Sequence, residues 1–135
     1  MKDFAISLIM AMTILACQCA FAHHSFAMFD LTKEVNLQGE VKEFQWTNPH
    51  VWIQLLVADG KGGRLEWSLE GGAPGMLSRT GWNSRMLKPG DRISIVMHPL
   101  KNGDPSGSLV SVTLPDGRVM GPGGPALPAA GSSTQ

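Results

Sequence analysis

The chain has 135 residues, 43% of them hydrophobic and 16% charged, with eleven acidic side chains balancing eleven basic ones. That length suits one domain, which can bury a core without a metal or disulfide staple. Zero formal charge and the lack of a Lys/Arg run exclude the long-range field that draws proteins to nucleic acid or anionic membrane.

The chain opens on Lys2, a nearly unbroken apolar stretch from Phe4 to Cys17, and then Ala20-Phe21-Ala22. This order reads as a secretion signal, residues 1–22, cut after Ala22. The apolar stretch is shorter than the roughly 20 residues a spanning helix needs, so no stable membrane span is expected. Ile14-Leu15-Ala16-Cys17 loosely resembles a lipobox, and a lipidated Cys17 is the alternative. Cleavage after Ala22 removes Cys17 and Cys19, so the exported domain, periplasmic or secreted, has no thiol and relies on packing.

The domain is expected over residues 23–120, beginning with an N-terminal arm whose Phe26, Met28 and Phe29 should dock on the body. Val35, Leu37, Gly39 and Val41 share one parity while Phe44 and Trp46 share the other. The inward face therefore switches near Lys42-Glu43, the mark of a bulge in one long, bent strand. Val51, Ile53, Leu55 and Val57 resume the alternation after Asn48-Pro49. Asp59-Gly60-Lys61-Gly62-Gly63 then supplies a hairpin turn, and Leu65, Trp67 and Leu69 form a third strand with Arg64, Glu66, Ser68 and Glu70 outward. Pro74, Met76, Leu77 and Gly81 predict one short helix. Lys88-Pro89-Gly90-Asp91 turns the chain into a fourth strand with Ile93, Ile95 and Met97 inward. Pro99 to Gly107 reads as a polar loop. Val110, Val112 and Leu114 make a fifth strand, and Val119-Met120 adds a few paired residues. The Gly/Pro-rich tail, residues 121–135, offers nothing to bury and reads as disordered.

Three strands, a short helix and two more strands, with a kinked first strand, predict an all-β, OB-fold-like five-stranded barrel with the helix between strands 3 and 4. An open sandwich is the alternative, and neither architecture sets an activity.

The candidate chemistry lies in four histidines, His23, His24, His50 and His98. Cleavage after Ala22 makes His23 the N-terminal residue, whose α-amine and imidazole can chelate one metal ion together. Nitrogen donors in a tetragonal arrangement favour Cu(II), the strongest binder among the divalent ions. A terminal His resembles the histidine brace of copper oxygenases and some periplasmic copper carriers, which a further histidine completes. His50 and His98 both point away from the core by parity. On barrel connectivity they are expected at opposite ends, and so not in one site. The competing structural reading makes His50 a turn cap and His98 a strand terminus.

Trp46 and Trp67 are expected in the core. Trp52 falls on the outward face beside His50 and Gln54, where it either lines a ligand groove or is covered by the arm. Asp30, Glu66 and Glu70 read as solvated carboxylates. No nucleophile triad, phosphate loop or paired-carboxylate pattern is present, so an ordinary hydrolase is not expected.

His23-His24-Ser25-Phe26-Ala27-Met28-Phe29-Asp30, Gly39-Glu40-Val41, Trp46-Thr47-Asn48-Pro49-His50, Trp67-Ser68-Leu69-Glu70, Leu87-Lys88-Pro89-Gly90-Asp91 and His98-Pro99-Leu100 together resemble a numbered family of small exported bacterial proteins of unknown function, family 6152. The resemblance spans Ala22 to Met120. It implies an exported domain and carries over no catalytic residue. The expected function is a periplasmic, non-enzymatic binding protein that holds copper through His23, His24 and either His50 or His98. The alternative is a metal-free module binding a small molecule or envelope protein through Trp52 and the polar loop. A copper-dependent redox enzyme is a third reading.

Overall fold

The computed structural model describes residues 26–126. The expected secretion signal with Cys17 and Cys19, the histidines His23 and His24, and residues 127–135 lie outside the described residues.

Among the described residues a short 3-10 helix (Phe26–Met28) precedes seven strands and one α-helix: β1 (Val35–Gln45), β2 (Trp52–Ala58), β3 (Arg64–Glu70), α1 (Pro74–Arg79), β4 (Arg92–Pro99), β5 (Ser106–Thr113), β6 (Val119–Gly121) and β7 (Gly124–Ala126). The pairing order is β3-β2-β1-β4-β5-β6-β7, and a parallel β3–β5 pairing closes the first five strands into a barrel with the expected OB connectivity. Alternation places Ile53, Leu55, Leu69, Ile95, Met97 and Val112 inside, each 1% exposed or less. The β1 bulge falls where the parity switch predicts it, with a register shift between Val41 and Glu43.

Two glycines permit the close strand approaches that closure needs. A Cβ at Gly39 would lie 2.5 Å from the Leu56 carbonyl oxygen and 2.8 Å from Leu55 Cγ. At Gly107 it would lie 2.0 Å from Met97 Sδ and 2.7 Å from the His98 carbonyl oxygen. The first eases β1 past β2 at the bend, and the second lets β5 fit between β3 and β4.

Helix α1 starts on Pro74, whose missing N–H costs nothing at a first helical turn, and Gly81 follows it at φ +95°. It inserts Leu77, 1% exposed, against the barrel, while Met76 stays 69% exposed and does not share that apolar face. Trp82, next along, is buried, and its Nε1 donates to the Gly121 carbonyl oxygen at 2.9 Å.

Several sequence expectations need correction. The polar loop is shorter, because β5 begins at Ser106 and Gly107 is a buried strand residue. A bulge in β5 between the partners of Val96 and Met97 puts Leu109 inward and leaves Val110 half-buried, against simple alternation from Val112. Leu65, at the hairpin end of β3, is 45% exposed. The boundary at residue 121 also moves. Gly121 is buried in β6, and Gly124–Ala126 pair with it as β7, because Trp82 needs the Gly121 carbonyl and the neighbouring Met120 packs into the core.

Candidate functional site

The barrel interior holds no chemistry: among the described residues no polar or charged side chain is buried. Reactive and ligating groups therefore lie on the outer wall and in the loops.

On that wall, strand register assembles one continuous row. His98 of β4 pairs with Ser108 of β5, Ser108 with Glu70 of β3, and Glu70 with Trp52 of β2. All four belong to the outward parity, next to the buried Met97, Gly107, Leu109, Leu69 and Ile53. His50, two residues before Trp52, turns its Nδ1 onto Glu70 Oε1, with side chains 33% and 12% exposed. Two strand steps separate Glu70 from His98, about 10 Å at the usual spacing. His50 and His98 thus lie along one stretch of wall, not at opposite ends. The reason is the parallel β3–β5 pairing, which runs the end of β3 beside the start of β5. Glu70, expected as a solvated carboxylate, is the hub of this row.

For both His50 and His98 the hydrogen-bond partner selects the neutral tautomer. His98 Nδ1 lies 2.7 Å from the Lys33 carbonyl oxygen, an acceptor only, so Nδ1–H donates and in the neutral ring Nε2 keeps its lone pair. His50 donates through Nδ1 to a carboxylate in the same way, leaving its own Nε2 as the free nitrogen. An imidazole oriented through Nδ1–H to a carbonyl or carboxylate is the arrangement that supports metal ligation through Nε2. Among the described residues no three His, Cys, Asp or Glu side chains converge on a single ion position.

The arm docks against the His98 end of β4 through Phe29, whereas Phe26 and Met28, expected to dock with it, are 64% and 48% exposed. Phe29, 3% exposed, bridges to Leu100. Asp30 N–H donates to the Pro99 carbonyl at 2.8 Å, Lys101 N–H to that of Met28 at 3.0 Å, and Lys101 Nζ to that of Ala27 at 2.7 Å. Asp30 holds the bend that follows: the Thr32 hydroxyl donates to its carboxylate at 2.6 Å, and Lys33 Nζ pairs with it at 2.9 Å. These hydrogen bonds, that of Thr32 first and that of Lys33 second, lower the Asp30 carboxyl to about 2. Asp30 is thus paired within the arm, and Glu66 with Lys42 at 2.6 Å. His23 and His24 lie just upstream of the docked segment and outside the described residues.

Trp52 is half-buried in the outer row. Trp46 is half-buried against the core and meets Phe44 edge-on, ring centroids 5.8 Å apart, while Trp67 packs against the core from β3. No helix among the described residues is long and apolar enough to cross a membrane.

Fold and site together define a small closed β-barrel with an apolar interior and an external histidine-bearing row, with the N-terminal arm docked beside its His98 end. The chain belongs to the family of unknown function DUF6152, whose model matches residues 11–109. That match begins within the N-terminal apolar stretch and runs to Leu109, so it includes every residue of the outer row and all four histidines. No curated protein matches the chain.

Proposed function

We propose that the protein is an exported, non-enzymatic binding protein of the bacterial envelope that holds Cu(II) at its mature N-terminus. In this reading cleavage after Ala22 frees the His23 amine and imidazole, His24 follows, and His98 Nε2 supplies the further nitrogen. The observation that carries it is the His98 Nδ1 to Lys33 carbonyl hydrogen bond at 2.7 Å, which leaves Nε2 as the lone-pair nitrogen beside the docked arm. Proximity to the docked arm favours His98 over His50, although both lie within the arm's reach. Phe29 is fixed against Leu100, and the six residues back to His23 span at most about 20 Å. His98 lies about 7 Å along β4 from Leu100, whereas Glu70, the partner of His50, lies two further strands away.

A second reading rests on the outer row itself. A half-buried Trp52 in register with Glu70, Ser108 and His98 offers one aromatic face and a line of polar groups to a metal-free ligand or envelope protein.

The test is the mass and copper spectrum of the exported protein. The copper reading expects a mature start at His23 and one Cu(II) whose electron paramagnetic resonance spectrum loses one nitrogen coupling in His98→Ala and none in His50→Ala. A different mature start, or a spectrum unchanged by His98→Ala, overturns it. Partner capture lost in Trp52→Ala with the copper spectrum intact supports the second reading.

A further inference from the structure

A concavity lies toward the opposite end of the barrel from His98, where β4 begins and β2 ends. It encloses about 500 Å³, within the range of small-ligand sites, between β1, β2, β4, the start of β3 and the β5–β6 turn. Its ionic lining is Arg64, Arg92 and Glu40, two guanidinium groups to one carboxylate. Arg64 Nη1 pairs with Glu40 at 3.2 Å. Arg92 faces Glu40 in the strand register but makes no hydrogen bond or ion pair among the described residues. The groove therefore holds one positive charge in excess on a chain whose formal charge is zero. Leu56 and Pro115 give it apolar wall, and Ser94 a hydroxyl.

We infer that this groove binds a small organic monocarboxylate, with Arg92 as the carboxylate ligand and the Leu56 and Pro115 walls receiving its apolar body. A guanidinium offers two parallel N–H donors that match a carboxylate bidentately, a geometry an ammonium lacks. One unpaired guanidinium suits a single negative charge, and Glu40 repels a second. Volume and apolar wall select a ring or short chain over acetate. The site is independent of copper, since none of its residues belongs to the histidine row.

The experiment is an amide NMR titration of the exported protein with benzoate and hexanoate, using benzamide as the neutral twin of benzoate. Saturable shifts at Gly39, Leu56, Ser94 and Gly117 with the acids, and none with benzamide at the same concentration, are expected. Arg92→Gln should weaken binding at least about tenfold, the usual worth of a charged hydrogen bond, and Arg92→Lys should weaken it less. Gln38→Glu, on the exposed rim, adds a repelling carboxylate without touching the core and should also weaken it. Shifts that fail to saturate, an equal response to benzamide, or affinity unchanged in both Arg92→Gln and Gln38→Glu overturn the inference.

Discussion

His98 and Lys33 are joined by a 2.7 Å hydrogen bond from the ring Nδ1 to the main-chain carbonyl, across 65 residues of sequence. Because a carbonyl oxygen only accepts, the bond decides which ring nitrogen holds the proton and ties the root of the arm to the end of β4. Long-range ¹H–¹⁵N spectra at neutral pH should therefore show the Nδ1–H tautomer for His98. A majority Nε2–H tautomer contradicts both the bond and the proposed copper ligand.

The Asp30 turn predicts a specific acid response. Its folded carboxyl sits at about 2, below the ordinary 3.8, so its contribution to arm docking is complete above about pH 4 and is lost as pH falls through 2. A carboxyl-detected titration should place the Asp30 midpoint near 2. In Thr32→Val, which removes the hydroxyl donor, the midpoint should rise toward 3.8. Being solvent-facing, the group should change global stability little.

Closure of the barrel depends on Gly107. A methyl group there meets both the Met97 sulfur, which can move, and the His98 carbonyl, which is held in the sheet. Gly107→Ala should cost at least about 1–3 kcal/mol in denaturant unfolding. Gly75→Ala, with nothing within 4 Å of its Cβ and a helical backbone that accepts Ala, should cost nothing or stabilise slightly.

Trp82 locks the segment after α1 to β6 through Gly121. Trp82→Phe keeps most of the apolar volume but leaves a buried carbonyl without its donor, a loss of about 1–3 kcal/mol. Trp82→Ala should cost about 3–5 kcal/mol. Hydrogen exchange should show the β6–β7 amides losing protection first in both variants, and protection that falls evenly across the barrel would contradict the link.

Strand order and the first bulge are legible in the sequence, because a side-chain period of two is printed directly in Leu37, Val41, Ile53, Leu55, Ile93 and Ile95. The β5 bulge is not, since Val110 and Val112 share a parity that only the register with Val96 and Met97 breaks. Gly107 and Gly121 read as loop and tail because a residue without a side chain contributes nothing to alternation; their burial comes from neighbours that need their backbone. The histidine row was half legible. Outward parity identifies Trp52, His50 and His98 one by one, but their adjacency comes from the parallel β3–β5 contact, which no local pattern records. Glu70 was missed for the same reason, as its partner His50 lies twenty positions away across β2.

The closing contact also governs what the barrel offers to other chains. Parallel pairing covers β3 only from Ser68 to Glu70, so the Arg64–Trp67 half keeps unpaired backbone groups, and β7 forms the outer margin of the β6–β7 ribbon. The first of these margins carries Arg64 and Glu66 in cross-strand ion pairs, and the second carries Pro125, which has no N–H to donate. Charge and a missing donor are the two common devices that discourage strand addition. The fold should therefore resist templated sheet growth between copies at high local concentration.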